Sequence, residues 1–271
     1  NKDKNYEQKA LKHRGLVAEK ITYNILRKKK KKKNIFRNVK IFKKKAEIIT
    51  DIDLLLIHEE KAIIFQVKSK KLTINSKKGS LEAIENDFNL AIKNAIEQGE
   101  NSIKCLKDCE QYKFISNDDL TIEDIKKIKN YYNIPILLDS YMGLHLQSHI
   151  LLQNNTKTIP LTIFDLNLII TKLNSKEKFI DYIVTRINTI KNYIAENETA
   201  YLAYYLNGSL TQIGDHKLIA LDNSWGNKVD QMHYETSQSK NKTGRNDLCG
   251  CGSNIKFKKC CLIKNKSSKS N

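Results

Sequence analysis

Four cysteines lie close together near the C-terminus of this 271-residue chain. Cys249 and Cys251 are separated by one residue, and Cys260 and Cys261 follow as an adjacent pair. Zinc favours four soft ligands in a tetrahedron, and its binding free energy folds segments that are too short to fold alone. The spacing therefore predicts a structural Zn²⁺ site whose four positions are all filled by protein. The alternative is a cysteine-rich basic tail that holds no metal ion.

A second group of polar residues lies on two predicted strands. Asp51 and Asp53 belong to the segment 47–57, Gln66 and Lys68 belong to the segment 62–68, and residues 58–61 are compatible with a hairpin turn. If the hairpin closes symmetrically, Asp53 lies opposite Gln66 and Asp51 lies opposite Lys68. Because side chains alternate between the two faces of a strand, we expect all four to project from one face.

Charged groups between buried strands are costly unless they pair or bind something. One interpretation is a structural salt bridge at the edge of the sheet. The other is a Mg²⁺ or Mn²⁺ site, since the carboxylate of Asp53 and the amide oxygen of Gln66 are both suitable ligands for a hard cation. Lys68 would then orient or activate the water that attacks a phosphodiester, and Asp51 would be a pairing residue.

This arrangement resembles the PD-(D/E)xK nuclease superfamily, whose signature is an acidic residue on one strand and (D/E/Q)-x-K on the next. Asp53 and Gln66-Val67-Lys68 match that signature. The resemblance implies a restriction-endonuclease-like α/β (α+β) fold, with a mixed central sheet and flanking helices. It also implies that Glu19, on the preceding helix, completes the catalytic site and that Gln98, on the following helix, faces it and contacts substrate.

One position departs from the common signature. Gln66 stands where Asp or Glu is usual, which removes one negative charge from the metal site. Gln occurs there in branches that resemble the Mrr-type restriction enzymes. Nucleases of this kind that cut duplexes often pair, so the resemblance also implies a homodimer.

The cysteine-rich stretch closely resembles the SEC-C motif, found in the tail of the SecA translocation ATPase and in many otherwise unrelated proteins. Leu248 and Gly250 stand where proline is common, but neither is a ligand position. In the translocase this motif is a docking surface, so the resemblance implies recruitment of a protein partner. Neighbouring lysines could equally contact phosphate.

The elements that must position these residues follow from periodicity. Apolar spacing predicts helices over residues 5–28, 80–109 and 121–130, and short strands over 112–115 and 134–138. Further helices are predicted over 166–173, 176–191 and 193–206. We therefore expect a nuclease-like α/β core over 1–140, a mostly helical extension over 141–230, a flexible linker over 231–243 and a zinc knuckle over 244–264.

The chain carries a formal net charge of +18, which favours a polyanionic partner, with nucleic acid first among them. Lys28, Lys30 and Lys32 lie in a lysine run that is either a solvated loop or a phosphate-contacting flap. No apolar run is long enough to span a membrane, and the N-terminus lacks a signal pattern, so we expect a cytoplasmic protein.

Three functions fit these features. The first is a metal-dependent nuclease with a zinc-knuckle tail. The second is a catalytically inactive nuclease-like adaptor that binds a partner through the knuckle, which the glutamine at position 66 favours. The third is a chaperone-like factor near the translocation machinery, and it rests on the knuckle alone.

Overall fold

The structure is a computed structural model, and it describes residues 4–28, 34–43, 47–141, 143–152, 158–173, 175–214, 217–227, 229, 245–246, 248–249, 253 and 255–259. The chain divides into two compact units, residues 1–226 and residues 227–271. The boundary predicted near residue 140 lies inside the first unit. The linker predicted over 231–243 lies outside the described residues.

The first unit alternates helices and short strands. Its helices are α1 (Lys4–Arg27), α2 (Ile74–Lys77), α3 (Leu81–Phe88), α4 (Asn94–Lys107), α5 (Ile122–Lys126), α6 (Ser148–Leu151), α7 (Ile163–Lys172), α8 (Lys176–Asn188) and α9 (Glu198–Leu206). Its strands are β1 (Ile35–Lys43), β2 (Ile48–His58), β3 (Lys61–Phe65), β4 (Val67–Lys68), β5 (Tyr112–Ile115), β6 (Asn130–Asn133), β7 (Ile136–Leu137), β8 (Leu161–Thr162), β9 (Tyr193–Ala195) and β10 (Ile219–Leu221).

The central sheet is mixed, as predicted. Its five strands run in the order β5-β1-β2-β3-β6, and only the β3–β6 pair is parallel. A second sheet, β4-β7-β8, is wholly parallel, and β9 pairs with β10 in a third. With helices on both faces of the central sheet, the fold class is α/β (α+β), which confirms the predicted class.

The predicted hairpin forms with a two-residue turn at Glu59 and Glu60. Its ladder pairs Leu54 with Phe65 and continues to the turn in the predicted register. At its other end the ladder stops at the Leu54–Phe65 pair, because the chain leaves the central sheet at Gln66 and β4 joins the second sheet. The two polar pairs predicted to continue the ladder are therefore not cross-strand neighbours.

The prediction that polar and apolar side chains alternate strictly along β2 was wrong. Leu54 packs in the core cluster beneath α1, α7, α8 and α9, whereas Ile52 and Leu55 both pack in the cluster beneath α4 and α5. Two residues three positions apart face opposite ways on a regular strand. The alternation is therefore interrupted at Asp53, which lies between them.

Helix predictions differ from the structure mainly at the ends. Helix α1 spans nearly the predicted range, but Leu11 and Ile21, which we expected on its buried side, are exposed. The segment 80–109 is helical throughout and includes a π turn at Asn89–Lys93. Strand β1 was not predicted, and residues 193–206 form a short strand followed by a helix.

The helices after residue 160 pack on the same core as α1 and the central sheet. Phe179, Ile183 and Leu202 belong to the cluster that also contains Ala18 and Leu56. Within the described residues, no helix is both long and apolar enough to cross a membrane.

Gly99 of α4 lies close to Asn133 of β6, and this contact allows a prediction about stability. A Cβ at Gly99 would lie 2.1 Å from Oδ1 and 2.4 Å from Cγ of Asn133, whose amide is buried and donates to the Ile96 carbonyl at 2.9 Å. We expect Gly99→Ala to lower the free energy of unfolding by about 2 kcal/mol through overpacking. Chemical denaturation measures this change.

The matched control is Gly15→Ala in α1. Its Cβ would meet only Ser69 Oγ, at 3.9 Å, so the better helix propensity of alanine should raise stability by up to about 1 kcal/mol. Equal effects of the two substitutions would contradict the packing account.

Candidate active site

Asp53 lies where the β2–β3 ladder ends, and its carboxylate replaces the missing backbone contact. Oδ2 accepts a hydrogen bond from the backbone N–H of Val67 at 2.7 Å. Burial raises the pKa of Asp53 to about 7, with the negative charges of Glu19 and Asp51 adding to the shift and the Val67 bond opposing it. A carboxylate in these surroundings favours either a proton or a nearby cation.

Gln66 is the first residue of the predicted Gln-x-Lys motif and is fully buried. Its Nε2 donates to the backbone carbonyl of Asp51 at 2.7 Å, which holds the departing chain against β2. Its Oε1 is buried and has no hydrogen-bond partner in the described part of the chain. An unpaired buried acceptor is costly, and a bound cation would satisfy it.

Lys68 is linked to Asp51 through Gln98 of α4. The Nζ of Lys68 donates to Gln98 Oε1 at 2.7 Å, and Gln98 Nε2 donates to Asp51 Oδ1 at 2.6 Å. Gln98 thereby uses both ends of its amide to orient the lysine and the carboxylate. We predicted that Asp51 lies directly opposite Lys68 and pairs with it. In the structure, Gln98 lies between these two side chains and connects them.

Glu19 reaches the same place from α1. It lines an open cleft of about 420 Å³ together with Asp53. Burial, followed by the negative charge of Asp51, raises the pKa of Glu19. The structure thus brings Glu19, Asp51, Asp53, Gln66, Lys68 and Gln98 into one neighbourhood.

The residues of this neighbourhood suit a hard divalent cation. Burial and neighbouring carboxylates raise the pKa of Asp53 and of Glu19, and Gln66 Oε1 is an unpaired oxygen, so the neighbourhood offers oxygen ligands whose negative charge a cation would stabilise. Across the described ranges, no three His, Cys, Asp or Glu side chains are close enough to hold a metal ion. A cation bound here would therefore also need oxygen ligands other than carboxylates, and the unpaired Gln66 Oε1 is a candidate.

The raised pKa of Asp53 predicts how stability depends on pH. The folded state without divalent cations binds the proton more tightly than the unfolded chain, so it loses stability as pH rises from about 4 to about 7. An asparagine amide at this position does not titrate and would carry no such penalty. We expect Asp53→Asn to gain roughly 3 kcal/mol relative to the wild type between pH 4 and pH 8, allowing for partial solvent screening.

Denaturation curves at several pH values, without added divalent cations, test this prediction. Asp119→Asn, at an exposed carboxylate, serves as the control and should change little with pH. A difference between Asp53→Asn and the wild type that does not vary with pH would contradict the assignment.

The predicted lysine contacts are only partly described. Lys28 follows the last residue of α1, and its Nζ donates to Asn167 Oδ1 at 2.9 Å on the surface. Lys30 and Lys32 lie outside the described residues. The cleft also contains Tyr23, Arg27 and Asn38, none of which was predicted, and only the strand register and fold could place them beside Asp53.

The C-terminal unit is described over a few residues. Leu248 pairs with Lys256 in an antiparallel bridge, and the backbone N–H of Cys249 donates to the Ile255 carbonyl at 2.8 Å. The residue Cys249 is buried, being 6% exposed. The remaining predicted zinc ligands, Cys251, Cys260 and Cys261, lie outside the described residues.

Two segments of the chain match families of known proteins. Residues 14–130 match the nuclease-related domain family (NERD), and residues 245–262 match the SEC-C motif. The chain therefore carries a nuclease-related domain and a SEC-C motif, which confirms the predicted superfamily and the predicted motif. The catalytic candidates Glu19, Asp53, Gln66 and Lys68 all lie within the first match.

A solved structure similar to this chain is the small subunit of the heterodimeric restriction endonuclease R.BspD6I. The two are 14% identical, the match covers 64% of this chain and 85% of that chain, and the TM-score is 0.29. No curated protein matches the chain.

Proposed function

We propose that the nuclease-related domain is a metal-dependent nuclease that hydrolyses phosphodiester bonds in nucleic acid. The observation that carries this proposal is the neighbourhood of Asp53. A buried carboxylate with a raised pKa, an unpaired amide oxygen and a lysine held by a glutamine lie on segments that the Val67–Asp53 and Gln66–Asp51 hydrogen bonds hold together. Perturbed groups of this kind beside a cleft are typical of catalytic sites.

Asp53, Glu19 and Gln66 would hold Mg²⁺ or Mn²⁺. When bound, the ion would supply positive charge to the phosphate and lower the pKa of a water molecule. The neutral amide of Gln66 lowers the negative charge of this ligand set by one relative to a third carboxylate. Binding should therefore be weaker, and millimolar rather than micromolar concentrations of cation are the appropriate range for assays.

Lys68 would act on the phosphate and the attacking water. In hydrolysis, a water oxygen bonds to phosphorus and the bond from phosphorus to the leaving oxygen breaks. The water loses a proton to solvent, and the leaving oxygen takes up a proton from solvent. The Lys68 ammonium group, held by Gln98 Oε1, would orient that water and stabilise the negative charge that builds on the phosphate oxygens. Gln98 would then be a positioning residue.

The net charge of +18 supports a nucleic-acid substrate. Phosphate contacts by lysine are independent of sequence, and bidentate recognition by arginine is scarce in this chain. Binding should therefore weaken steeply with salt and show little sequence preference. Electrophoretic analysis of plasmid, linear duplex and single-stranded substrates with Mg²⁺ or Mn²⁺ tests the activity.

A second candidate function is an inactive adaptor that retains the nuclease-like scaffold. The glutamine at position 66 is the feature that favours it, since it leaves fewer carboxylates at the site. Folded protein that binds nucleic acid but cuts none of these substrates, with either metal, would favour the adaptor.

The SEC-C motif would bind one structural Zn²⁺ through Cys249, Cys251, Cys260 and Cys261, and it would dock on a protein partner. The buried side chain of Cys249, beside an antiparallel bridge that closes the turn, supports a folded ligand loop.

We expect the purified chain to contain one equivalent of zinc by elemental mass spectrometry, and Cys249→Ser with Cys251→Ser to contain none. The nuclease-related domain should keep its cleavage rate in this double variant, because no cysteine of the motif lies in the first unit. Equal zinc contents in the wild type and the double variant would contradict the assignment. Cys105→Ser is the control, since it removes a buried thiol elsewhere.

A further inference from the structure

The cleft beside Asp53 extends along α1, away from the proposed metal ligands. Glu19 lies at one end, Tyr23 follows one helical turn later, and Arg27 follows after a second turn. At 1.5 Å per residue, Arg27 lies roughly 12 Å along the helix from Glu19. The acidic end and the basic end of the cleft are thus farther apart than adjacent phosphates of one strand, so they would contact groups more than one nucleotide apart.

The two arginines of the cleft differ in their charge balance. Arg37 is bound by Asp118 through Nε at 3.0 Å and Nη2 at 2.9 Å, and its guanidinium lies 4.8 Å from the centre of the Tyr23 ring. Arg27 lies 5.6 Å from the centre of the same ring. It is exposed, and no ion pair to it is found in the described part of the chain. Arg27 is therefore the cleft arginine whose charge remains available for a ligand.

Asn38 faces Asp53 across the β1–β2 ladder, between the pairs Arg37–Leu54 and Val39–Ile52. Its φ of 52° lies in the left-handed region, which asparagine adopts more readily than most residues with a side chain but less readily than glycine. The same position marks the break in β1, because Phe36 and Val39 pack in one cluster although they are three residues apart. The left-handed backbone of Asn38 therefore lies opposite the point where the alternation of side chains along β2 is interrupted. That point is Asp53, which lines the cleft.

Asn38 combines this sparsely populated backbone conformation with a side chain that lines the cleft, a combination that occurs often at functional sites. Glycine would adopt this backbone without strain, yet the chain carries an exposed amide here. Such an amide both donates and accepts hydrogen bonds, as the base edges and sugars of a nucleic-acid strand require.

We infer that this cleft binds the strand that flanks the phosphodiester to be cut, with Asn38 on the sugar or base beside that bond and Arg27 on a phosphate more than one nucleotide away. This inference rests on the proposed nuclease function. It makes the substrate a nucleic-acid strand that runs along α1, and it assigns binding to two residues outside the catalytic motif.

Binding by the Asp53→Asn protein, which should not cut its ligand, tests the inference. Fluorescence anisotropy with labelled DNA and RNA single strands and duplexes of one sequence gives the Kd over a range of salt concentrations. Added to this background, Arg27→Gln should weaken binding several-fold and reduce the slope of log Kd against log salt by about 1. Lys178→Gln removes the same charge from an exposed site in α8, and it should leave that slope unchanged.

Asn38→Gly, made in the Asp53→Asn protein, distinguishes a contribution of the Asn38 side chain to binding from an effect on folding. It relieves the left-handed strain, so the melting temperature should hold or rise, while binding weakens by roughly 2- to 10-fold without a change in salt slope. If Arg27→Gln and Asn38→Gly both behave like Lys178→Gln, the cleft is not a substrate site, although wild-type cleavage would leave the nuclease function intact. If Asp53→Asn binds no strand and the wild type cuts none, both proposals fail.

Discussion

Asp53→Asn is expected to lower the cleavage rate by at least about 10³-fold while the protein remains folded. The substitution keeps the shape of the side chain but removes the charge that would hold the cation, and electrostatic contributions at catalytic centres are commonly this large. It also removes the burial penalty that raises the pKa of this carboxyl to about 7. Loss of activity and gain in stability should therefore appear together.

This combination distinguishes a catalytic role from a structural one. A structural carboxylate accepting the Val67 N–H would, on replacement, cost stability and activity in parallel. Initial rates with Mn²⁺, and melting temperatures without added divalent cations, measured on one preparation, give both quantities. Asp119→Asn, at an exposed carboxylate, should keep the wild-type values. An Asp53→Asn protein that melts earlier and cuts at half the wild-type rate would rule out the role assigned to Asp53.

Lys68→Met is expected to slow cleavage by about 10²- to 10⁴-fold with little effect on metal affinity. Methionine keeps the length of the side chain but cannot donate to the water or to the phosphate, and contributions of this size are typical of a single positioned group. The loss should fall mainly on kcat rather than on KM, because the lysine acts on charge that develops during the reaction.

Lys71→Met is the matched control for Lys68→Met. It removes an exposed lysine three residues away, outside the hydrogen-bonded arrangement of Gln98 and Asp51. Isothermal titration with Mn²⁺ should give the same affinity for both variants and the wild type. A Lys68→Met protein that retains kcat but loses substrate affinity would show that Lys68 binds phosphate rather than assisting the reaction.

The hairpin illustrates what can be predicted from the sequence. Symmetric closure of the hairpin around Glu59 and Glu60 predicted the register in which Leu54 pairs with Phe65. Both strands are buried and only a short polar segment connects them, so local pattern and tertiary structure favour the same pairing.

The site itself could be predicted only in part. The spacing of Asp53 and Lys68 indicated their common function, but their contacts pass through Gln98 and the Val67 backbone because the chain changes sheets at Gln66. That exit depends on the pairing of β4 with β7, about seventy residues later in the chain, which no local pattern encodes.

The role of Asn38 could not be predicted from the sequence, for a related reason. Its left-handed backbone depends on the pairing of β1 with β2, and β1 was not predicted, because its apolar residues are interspersed with lysine and arginine. Arg37 and Asn38, the residues of β1 that line the cleft, could therefore not be placed until the register of β1 and β2 was known.

Metal-dependent cleavage by wild type, Asp53→Asn and Lys68→Met, compared in one assay, tests the central claim most directly. Plasmid, linear duplex, single-stranded DNA and RNA would be incubated with Mg²⁺, with Mn²⁺ and with a chelator. We predict that the wild type cuts at least one substrate, that the chelator stops it, and that both variants lose the activity. Cleavage that is equal in all three proteins, or no cleavage by folded, zinc-loaded wild type with either metal, would contradict a nuclease site at Asp53.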